Sequence, residues 1–369
     1  MPLRPKPEIE KLEACPHGGP NWAELSAMGL IPEEVIDFSV STNPFMPPPA
    51  VKEIFNTIDI DHYPDSEATE LRQCLSEKLG VASGNILAGS GAMELIRLIA
   101  LTYFGHGDSV LILEPTFGEY KVACRIMGSE VFEQWGKAEE NFAPRIEETV
   151  GLIRQRRPKG VFICNPGNPT GQYLSRKEVE AILDACVDCL LVLDEAYIAF
   201  TEGSWSSTDL VSRNNVIIMR SMTKDYALAG LRLGYAIANE EIIQNLSKVC
   251  PPWNVNVVAQ KAGVIALKDT EYLKRCETKI RQVKYFMIDE LGRSGFKLVP
   301  SKTNFFLVKV GDGKSFRNAL LRYGIMVRDC ASFGLTEYVR IAPRTMPECQ
   351  KLITTIKALK REGELNVSI

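Results

Sequence analysis

A lysine in the middle of the chain has neighbours that suit a covalent bond to a phosphorylated carbonyl compound. Lys224 follows the short apolar run Val216–Met219. A lysine there is usually only solvated, but its amine can form a Schiff base with a carbonyl group. Ser221 and Thr223 precede it, and Arg232 lies eight residues further on. An arginine and two hydroxyl groups are suited to binding a phosphate dianion, so the pattern predicts a phosphate site beside a reactive amine.

This segment resembles the lysine signature of class I and II aminotransferases, which are pyridoxal-phosphate (PLP) enzymes. It reads Ser-x-Thr-Lys, followed by Gly-x-Arg-x-Gly-Tyr. The resemblance extends from His17 to beyond Arg344 and implies PLP as the cofactor, held by Lys224. It also implies an α/β fold like that of aspartate aminotransferase (fold type I), with a mostly parallel sheet between helices in a large domain and a smaller α+β domain.

Three further residues match the family in the same order along the chain. Asn168 lies in the segment NPGNPTG, Asp194 ends the apolar run LLVLD, and Tyr197 follows it. A carboxylate at the end of a buried strand is costly unless it is paired. The resemblance implies that Asp194 pairs with the protonated pyridine nitrogen, which makes the ring an electron sink. It also implies that Asn168 and Tyr197 hydrogen-bond to the phenolic oxygen of the cofactor.

A glycine-containing segment, Gly89–Glu94, precedes the helical pattern Leu95–Phe104. Such a segment is often a simple helix start, although glycine allows close approach and a helix N-terminus favours an anion. The resemblance makes Gly91 and Ala92 contacts of the cofactor phosphate. It also makes Phe117 the aromatic residue that stacks on the pyridine ring, where the alternative is an ordinary core phenylalanine.

Tyr63 resembles the tyrosine that reaches the cofactor phosphate of the partner subunit, which implies a homodimer with sites at the interface. Apart from the resemblance, the sequence says nothing about oligomers. A regulatory protein that carries this fold without turnover is the alternative from another class. Such regulators have an added DNA-binding module, and the short segment before the fold contains no basic recognition helix.

Within the family, the resemblance is closest to two groups that act on phosphorylated amines: histidinol-phosphate aminotransferases and L-threonine-O-3-phosphate decarboxylases. The segment His17-Gly18-Gly19 is similar to one in the decarboxylases, where the histidine helps to bind the substrate phosphate. The run from Val327 to Arg344 is also similar to the decarboxylase ending. There, Arg328 matches the substrate-phosphate arginine and Arg340 the carboxylate-binding arginine.

We therefore predict PLP-dependent decarboxylation of L-threonine O-3-phosphate to (R)-1-aminopropan-2-yl phosphate, a step of cobalamin biosynthesis. The alternative is a histidinol-phosphate aminotransferase, or a related enzyme that uses 2-oxoglutarate and glutamate. Ser41 and Met46 depart from many relatives in a loop on the substrate side, which leaves the substrate open. The predicted catalytic residues are Lys224, Asp194 and Tyr197. The predicted substrate-binding residues are His17, Asn43, Asn168, Arg328 and Arg340.

The composition is that of a globular protein without a nucleic-acid or membrane footprint. Of 369 residues, 45% are hydrophobic and 24% charged, and the net charge is −3 with no long run of one sign. The ten cysteines are scattered, and the pair Cys186 and Cys189 lacks a second pair at zinc-ribbon spacing. We predict reduced thiols and no metal site. The chain shows no secretory segment or membrane span, so we predict a cytoplasmic location.

The elements that would position these residues alternate along the chain. Short β-branched runs, bounded by turn residues and separated by helical patterns, predict a parallel sheet with both faces covered. Ligands then bind at the carboxyl ends of the strands. The predicted strands are Ser109–Leu113, Val161–Cys164, Leu190–Asp194 and Val216–Met219. We predict a large domain at residues 43–252 and a small domain at residues 253–369, to which residues 1–42 also belong.

Overall fold

The computed structural model describes residues 3–365, whose strands lie in three sheets. The strands are β1 (Ile36–Asp37), β2 (Ile86–Gly89), β3 (Ser109–Glu114), β4 (Glu130–Trp135), β5 (Gly160–Cys164), β6 (Leu190–Asp194), β7 (Val216–Ser221), β8 (Gly234–Ala238), β9 (Lys297–Leu298), β10 (Phe306–Lys309), β11 (Ile325–Met326), β12 (Arg328–Asp329) and β13 (Tyr338–Ile341). The α-helices are α1 (Pro7–Glu10), α2 (Trp22–Ala27), α3 (Pro49–Glu53), α4 (Thr69–Leu79), α5 (Gly91–Tyr103), α6 (Glu119–Ile126), α7 (Ile146–Arg156), α8 (Arg176–Ala185), α9 (Met222–Asp225), α10 (Glu240–Val249), α11 (Val257–Lys268), α12 (Tyr272–Arg293), α13 (Gly313–Leu321) and α14 (Met346–Arg361).

A seven-stranded sheet in the order β2-β8-β7-β6-β5-β3-β4 forms the centre of the large domain. Neighbouring strands are parallel except at β8, which is antiparallel to β2 and β7. On β6, Leu191 and Leu193 belong to one apolar cluster and Val192 to another, so both faces are buried. Helices α4, α8 and α11 supply the first cluster and α5, α6 and α10 the second. The predicted α/β fold with a mostly parallel sheet is confirmed.

The small domain is built on a four-stranded antiparallel sheet in the order β12-β13-β10-β9, packed against α12, α13 and α14. The N-terminal segment joins it. Ile36 and Asp37 pair in parallel with Ile325 and Met326. The next residue, Phe38, is fully buried in the small-domain core. Residues 36–38 therefore pack with the small domain, and the assignment of residues 1–42 as a whole stays a prediction.

The two cores meet along the long helix α12. Cys276 and Ile280 in its first half pack into the large-domain core, whereas Val283 and Met287 in its second half pack into the small-domain core. Helix α11 packs against α3 and α4 of the large domain. A division at residues 252 and 253 stays a prediction, and this packing argues for a boundary inside α12. Within residues 3–365, no helix is both long and apolar enough to cross a bilayer.

Candidate active site

A cavity of about 330 Å³ opens between the carboxyl ends of the large-sheet strands and the small domain. Residues that follow β3, β5, β6 and β7 line one side, and residues of β12 and β13 line the other. This is where ligands bind in open α/β sheets. Most of the residues predicted from the sequence line it together: His17, Ala92, Phe117, Asn168, Asp194, Tyr197, Ser221, Thr223, Lys224, Arg232, Arg328 and Arg340.

Lys224 lies in the one-turn helix α9, directly after β7. Its amine is 5.9 Å from the centroid of the Tyr197 ring. The pKa of Lys224 is lowered from 10.5 to about 8, chiefly by burial and in smaller part by the positive charges of Arg340 and Arg232, while Asp194 opposes the shift. A much larger fraction of the amine is therefore neutral near pH 7 than in an ordinary lysine, as a nucleophile requires.

Asp194 is a buried carboxylate at the end of β6. Its Oδ2 accepts a hydrogen bond of 2.6 Å from the Tyr120 hydroxyl, and its Oδ1 accepts one of 2.9 Å from the Ala196 amide. Burial raises the pKa of Asp194. No basic side chain among residues 3–365 forms a salt bridge with it within 4.0 Å. A buried carboxylate without a cationic partner suits a ligand that presents a protonated nitrogen.

Ser221, Thr223 and Arg232, which also line the cavity, form a candidate phosphate cradle. The Ser221 and Thr223 hydroxyl oxygens are 2.6 Å apart, so the two groups can donate to one anion. Gly91 begins α5 with a φ of +76°, and a Cβ there would lie 2.8 Å from Nη2 of Arg232. Only glycine fits this position without displacing the guanidinium group. Arg232 donates to the Ala229 carbonyl at 3.1 Å and carries no carboxylate partner among the described residues.

Arg340 connects β13 to the large domain. The side chain is buried, with one guanidinium nitrogen donating to the Asn168 side-chain oxygen and another to the Ser39 carbonyl at 2.7 Å. Its Nε has no hydrogen-bond partner within the described chain. The guanidinium group lies 5.1 Å from the centroid of the Phe305 ring, which also packs edge-on against Tyr197. A fixed guanidinium with an unsatisfied N–H is suited to a carboxylate or phosphate ligand.

The N-terminal segment crosses the entrance of the cavity. Arg328 donates to the carbonyls of Pro16 and His17 at 2.8 and 3.0 Å and to the Ser332 hydroxyl at 2.6 Å. The His17 ring lies 5.7 Å from the Phe117 ring, at an interplanar angle of 49°. Arg328 and His17 therefore lie at the same edge of the cavity, as the sequence predicts, with Phe117 below them.

The family description Aminotransferase class I and II matches residues 33–356. The chain belongs to this family. A curated relative, the histidinol-phosphate aminotransferase of Methanocaldococcus jannaschii, is 33% identical over 362 residues, which cover 95% of this chain and 96% of the relative. The predicted family and its PLP cofactor are thereby confirmed.

Two solved structures of named enzymes are similar to the whole fold. Histidinol-phosphate aminotransferase from Sinorhizobium meliloti, in complex with pyridoxal-5'-phosphate, has a TM-score of 0.89 and 25% identity and covers 97% of this chain and 98% of its own. L-threonine-O-3-phosphate decarboxylase from Porphyromonas gingivalis has a TM-score of 0.78 and 28% identity. The match covers 88% of this chain and 99% of the decarboxylase chain.

These comparisons contradict the predicted decarboxylation of L-threonine O-3-phosphate. Further curated relatives, at 31 to 36% identity, are also named histidinol-phosphate aminotransferase. The prediction rested on the histidine-glycine-glycine segment and on the arginines of the C-terminal run. Those residues were predicted to bind a phosphate and a carboxylate, and a phosphorylated amine is the substrate in both groups. They therefore do not separate the two reactions.

The cavity of this aminotransferase-family chain fits PLP in its charge distribution. The cofactor has a phosphate dianion at one end and a ring nitrogen that can be protonated at the other. Arg232 and the hydroxyls of Ser221 and Thr223 suit the phosphate, and the unpaired carboxylate of Asp194 suits the ring nitrogen. Lys224 lines the same cavity. The assignment of individual residues to the cofactor stays a prediction.

Three predicted residues do not line the cavity: Gly91, which lies against Arg232 of the phosphate cradle, Asn43 and Tyr63. Asn43 is buried, and its side chain donates to the Asp225 carbonyl at 2.9 Å and to the Tyr272 hydroxyl at 3.0 Å. The backbone N–H of Asn43 donates to the Lys224 carbonyl at 2.8 Å. Asn43 therefore fixes the backbone of α9 and does not face a substrate. Tyr63 is 78% exposed and stacks on Trp253, with ring centroids 4.3 Å apart. The single chain does not bring Tyr63 to its own cavity.

Several cavity residues had no sequence signal of their own. Tyr120 lies three residues after Phe117, on the first turn of α6, and contacts Asp194 only because β3 and β6 share a sheet. Ser39 and Ser41 reach the cavity from the segment that follows β1. A search for polar side chains one helical turn beyond a recognised aromatic residue could have found Tyr120. Nothing local marks Ser39, whereas Ser41 belongs to the loop that was expected on the substrate side.

Incorporation of PLP into the apoprotein is expected to follow the ionisation of Lys224. The pKa of Lys224 is lowered to about 8, and attachment needs the neutral amine. The rate should rise about tenfold per pH unit below pH 8 and level off above it, whereas an ordinary lysine would give a rise that continues beyond pH 10. The change of absorbance on mixing apoprotein with PLP measures this rate. In Arg340→Gln, one positive charge is lost, so the midpoint should move upward.

Proposed function

We propose that this chain is an aminotransferase that exchanges an amino group between histidinol phosphate and 2-oxoglutarate. The observation that carries the proposal is the charge of the cavity. Arg232, Arg328 and Arg340 all line it, and none has a carboxylate within 4.0 Å among residues 3–365. Three uncompensated guanidinium groups in one cavity suit ligands with several negative charges. The many relatives named histidinol-phosphate aminotransferase support the choice of substrate.

Each arginine has a distinct role in this proposal. Arg232 binds the cofactor phosphate with the hydroxyls of Ser221 and Thr223. Arg328, at the entrance with His17, binds the phosphate of the amine substrate. Arg340 binds a carboxylate of glutamate or 2-oxoglutarate in the second half-reaction. The amine substrate and the amino acceptor thus use the same cationic edge in turn, which explains why these arginines have no internal carboxylate partner.

When bound, PLP supplies an electron sink for the electron pair released at the substrate carbon. The chain supplies the positioning and the proton transfers. Asp194 holds a proton at the ring nitrogen, while Tyr197 and Asn168 hydrogen-bond to the phenolic oxygen. Lys224, with its lowered pKa, accepts and returns the proton at the substrate carbon. The bond that breaks is fixed by how Arg328 and Arg340 orient the substrate.

The proposal includes a homodimer in which Tyr63 reaches the cofactor phosphate of the partner subunit. In one chain, Tyr63 and Trp253 form an exposed aromatic pair at the surface. Arg232, which lines the cavity, is also exposed in the single chain. A partner surface that covers Arg232 would exclude water from the phosphate and strengthen the ion pair.

A paired assay tests the function. Purified holoenzyme is given histidinol phosphate with 2-oxoglutarate, and glutamate is measured. In parallel it is given L-threonine O-3-phosphate alone, and CO2 is measured. We expect rapid glutamate formation and no CO2 release. Brisk CO2 release without glutamate formation would overturn the proposal while leaving the cofactor site as assigned.

Substitution of Arg328 tests whether this residue recognises the phosphate of the substrate. In Arg328→Met, kcat/KM for histidinol phosphate should fall by about 10- to 100-fold more than kcat/KM for histidinol, because a hydrogen bond to a charged group contributes roughly 1.5–3 kcal/mol. Arg344→Met is the matched control, since Arg344 contacts Glu348 and the Asp37 carbonyl outside the cavity. Equal losses for both substrates in Arg328→Met would remove Arg328 from phosphate binding.

A further inference from the structure

A cysteine, a histidine and a glutamate meet at the entrance of the cavity. Cys15 and His17 come from the N-terminal segment, and Glu119 lies in the first turn of α6. One potential ligand atom from each lies within 4.8 Å of the other two. We propose that Cys15, His17 and Glu119 form a binding site for Zn²⁺. Its occupancy inhibits the enzyme.

The three donors suit zinc in type and in spacing. Thiolate sulfur, imidazole nitrogen and carboxylate oxygen are the common zinc ligands, at about 2.3, 2.0 and 2.0 Å, which places tetrahedral ligands roughly 3.3–3.6 Å apart. Nε2 of His17 and Oε1 of Glu119 are 2.9 Å apart, so a bound ion would separate them slightly. Because the three ligand atoms lie within 4.8 Å of one another, the thiol must move in by at most roughly 1.5 Å.

The carboxylate of this group is already fixed by a neighbour. Glu119 is only 5% exposed, and its Oε2 accepts a hydrogen bond of 2.6 Å from Arg97. Oε1 remains directed at His17. Contacts of this kind, which orient a ligand without touching the metal, are typical of zinc sites. The positive charge of Arg97 opposes the ion, but the thiolate and the carboxylate together carry two negative charges.

The two N-terminal ligands are also held in place. Arg328 binds the carbonyls of Pro16 and His17, which lie beside Cys15 in the chain. The ring of Phe117 packs on the His17 ring. The sulfur of Cys15 has only a weak contact of 3.8 Å, with the Pro16 carbonyl, so little must be broken to free it. The site is therefore largely formed before the ion arrives.

Binding of zinc at this site would affect the reaction because the site lies at the cavity that binds the substrate. Cys15 and His17 both line the cavity, so a zinc ion bound by them would lie at its wall. Zinc binding takes the His17 imidazole away from the substrate phosphate. Inhibition of turnover rests on the proposed function of His17, whereas binding of zinc does not, and the two are measured separately.

Binding is tested on holoenzyme without substrate. Equilibrium dialysis against Zn²⁺ should give one tight site per chain in the wild type. Cys15→Ala and His17→Gln should each lower the affinity for Zn²⁺. The loss should exceed the roughly 10- to 100-fold loss that follows removal of a residue that only orients a metal ligand. Cys250→Ala is the matched control, because Cys250 is another partly exposed cysteine outside the cavity, and it should bind as the wild type does.

Co²⁺ reports the ligands directly. In the wild type it should show the intense d–d bands of a tetrahedral site, at longer wavelengths than the cofactor absorbs, and Cys15→Ala should lose them. Zinc should inhibit glutamate formation by the wild type and by Cys250→Ala, and it should inhibit Cys15→Ala much less. The rate of each protein with zinc is compared with the rate of the same protein without zinc. Equal zinc binding by the wild type and Cys15→Ala, or no tight site at all, would overturn the proposal. Tight binding with equal inhibition of both proteins would overturn the inhibitory role.

Discussion

Replacement of Lys224 by alanine is expected to abolish turnover and covalent attachment of PLP while leaving the fold intact. General acid–base catalysis alone contributes roughly 10²- to 10⁴-fold to a rate, and this variant also loses the covalent bond that fixes the cofactor. The fold should survive because α9 is one turn long and its backbone is held by Asn43. Removal of a half-buried amine, whose pKa is lowered by burial, also removes a desolvation cost.

Mass spectrometry after borohydride reduction provides the measurement. The wild type should carry the pyridoxyl group on Lys224 and Lys224→Ala should carry none, with unchanged circular dichroism. Lys78→Met is the matched control. Lys78 is another lysine whose pKa is lowered by desolvation of its amine, but it donates to the Tyr226 hydroxyl at 2.5 Å and does not line the cavity. A pyridoxyl group on Lys78, or on any lysine other than Lys224, would refute the assignment.

The large-domain sheet was predictable where its strands are buried on both faces. The runs at Ser109–Leu113, Leu190–Asp194 and Val216–Met219 appear as β3, β6 and β7, within one or two residues. Burial on both faces demands apolar residues at every position, which produces an unambiguous run. At the edge of the sheet this demand is absent. Strand β4 (Glu130–Trp135) is partly exposed and contains two glutamates and a glutamine among its apolar residues, so it produced no such run.

The predicted boundary between the two domains illustrates another limit of prediction from sequence patterns. Helix α11 has a buried face rich in small residues, and its pattern is the same whether it packs on one domain or the other. The proline pair Pro251 and Pro252 precedes it and suggested a boundary. Packing against α4, which no local pattern encodes, places α11 on the large domain. Packing between helices that are far apart in the sequence depends on the topology of the fold and not on local composition.

The meeting of the predicted cofactor residues at one cavity was predictable because they end or follow strands within short motifs. Asn168, Asp194 and Lys224 follow β5, β6 and β7, so adjacency in the sheet brings them together. Glu119 and Cys15 illustrate the opposite case. They are more than a hundred residues apart and belong to no spacing pattern, so the prediction of no metal site considered only paired cysteines. Only the path of the N-terminal segment over the cavity brings them together.

The substrate was the part that local patterns could not decide. His17 and Arg328 lie at the cavity as predicted, yet a phosphate-binding histidine and arginine are compatible with transamination and with decarboxylation. The choice depends on which bond at the substrate carbon stands perpendicular to the cofactor ring. That orientation changes with shifts of a few tenths of an ångström in Arg328 and Arg340, and no motif encodes shifts of that size.

Asp194→Asn is expected to retain PLP but to lose about 10²- to 10³-fold in kcat, which corresponds to roughly 3–4 kcal/mol of barrier. An amide cannot hold a proton on the ring nitrogen as a carboxylate does, so the ring accepts electrons poorly. The site is already arranged for a charged partner: Asp194 is buried, burial raises its pKa, and no basic side chain of the described chain neutralises it within 4.0 Å. The phosphate cradle at Ser221 and Arg232 is untouched, so cofactor binding should persist.

Tyr120→Phe separates the charge of Asp194 from its orientation. That variant removes the 2.6 Å hydrogen bond to Oδ2 but keeps the carboxylate, so the loss in kcat should be smaller than in Asp194→Asn. The ¹⁵N chemical shift of ring-labelled PLP provides a readout that a merely structural role would not move. The nitrogen should be protonated in the wild type and in Tyr120→Phe, and neutral in Asp194→Asn. If Asp194→Asn kept a protonated nitrogen and a near wild-type rate, the aspartate at the end of β6 would be structural, and the electron-sink chemistry would need another source of charge.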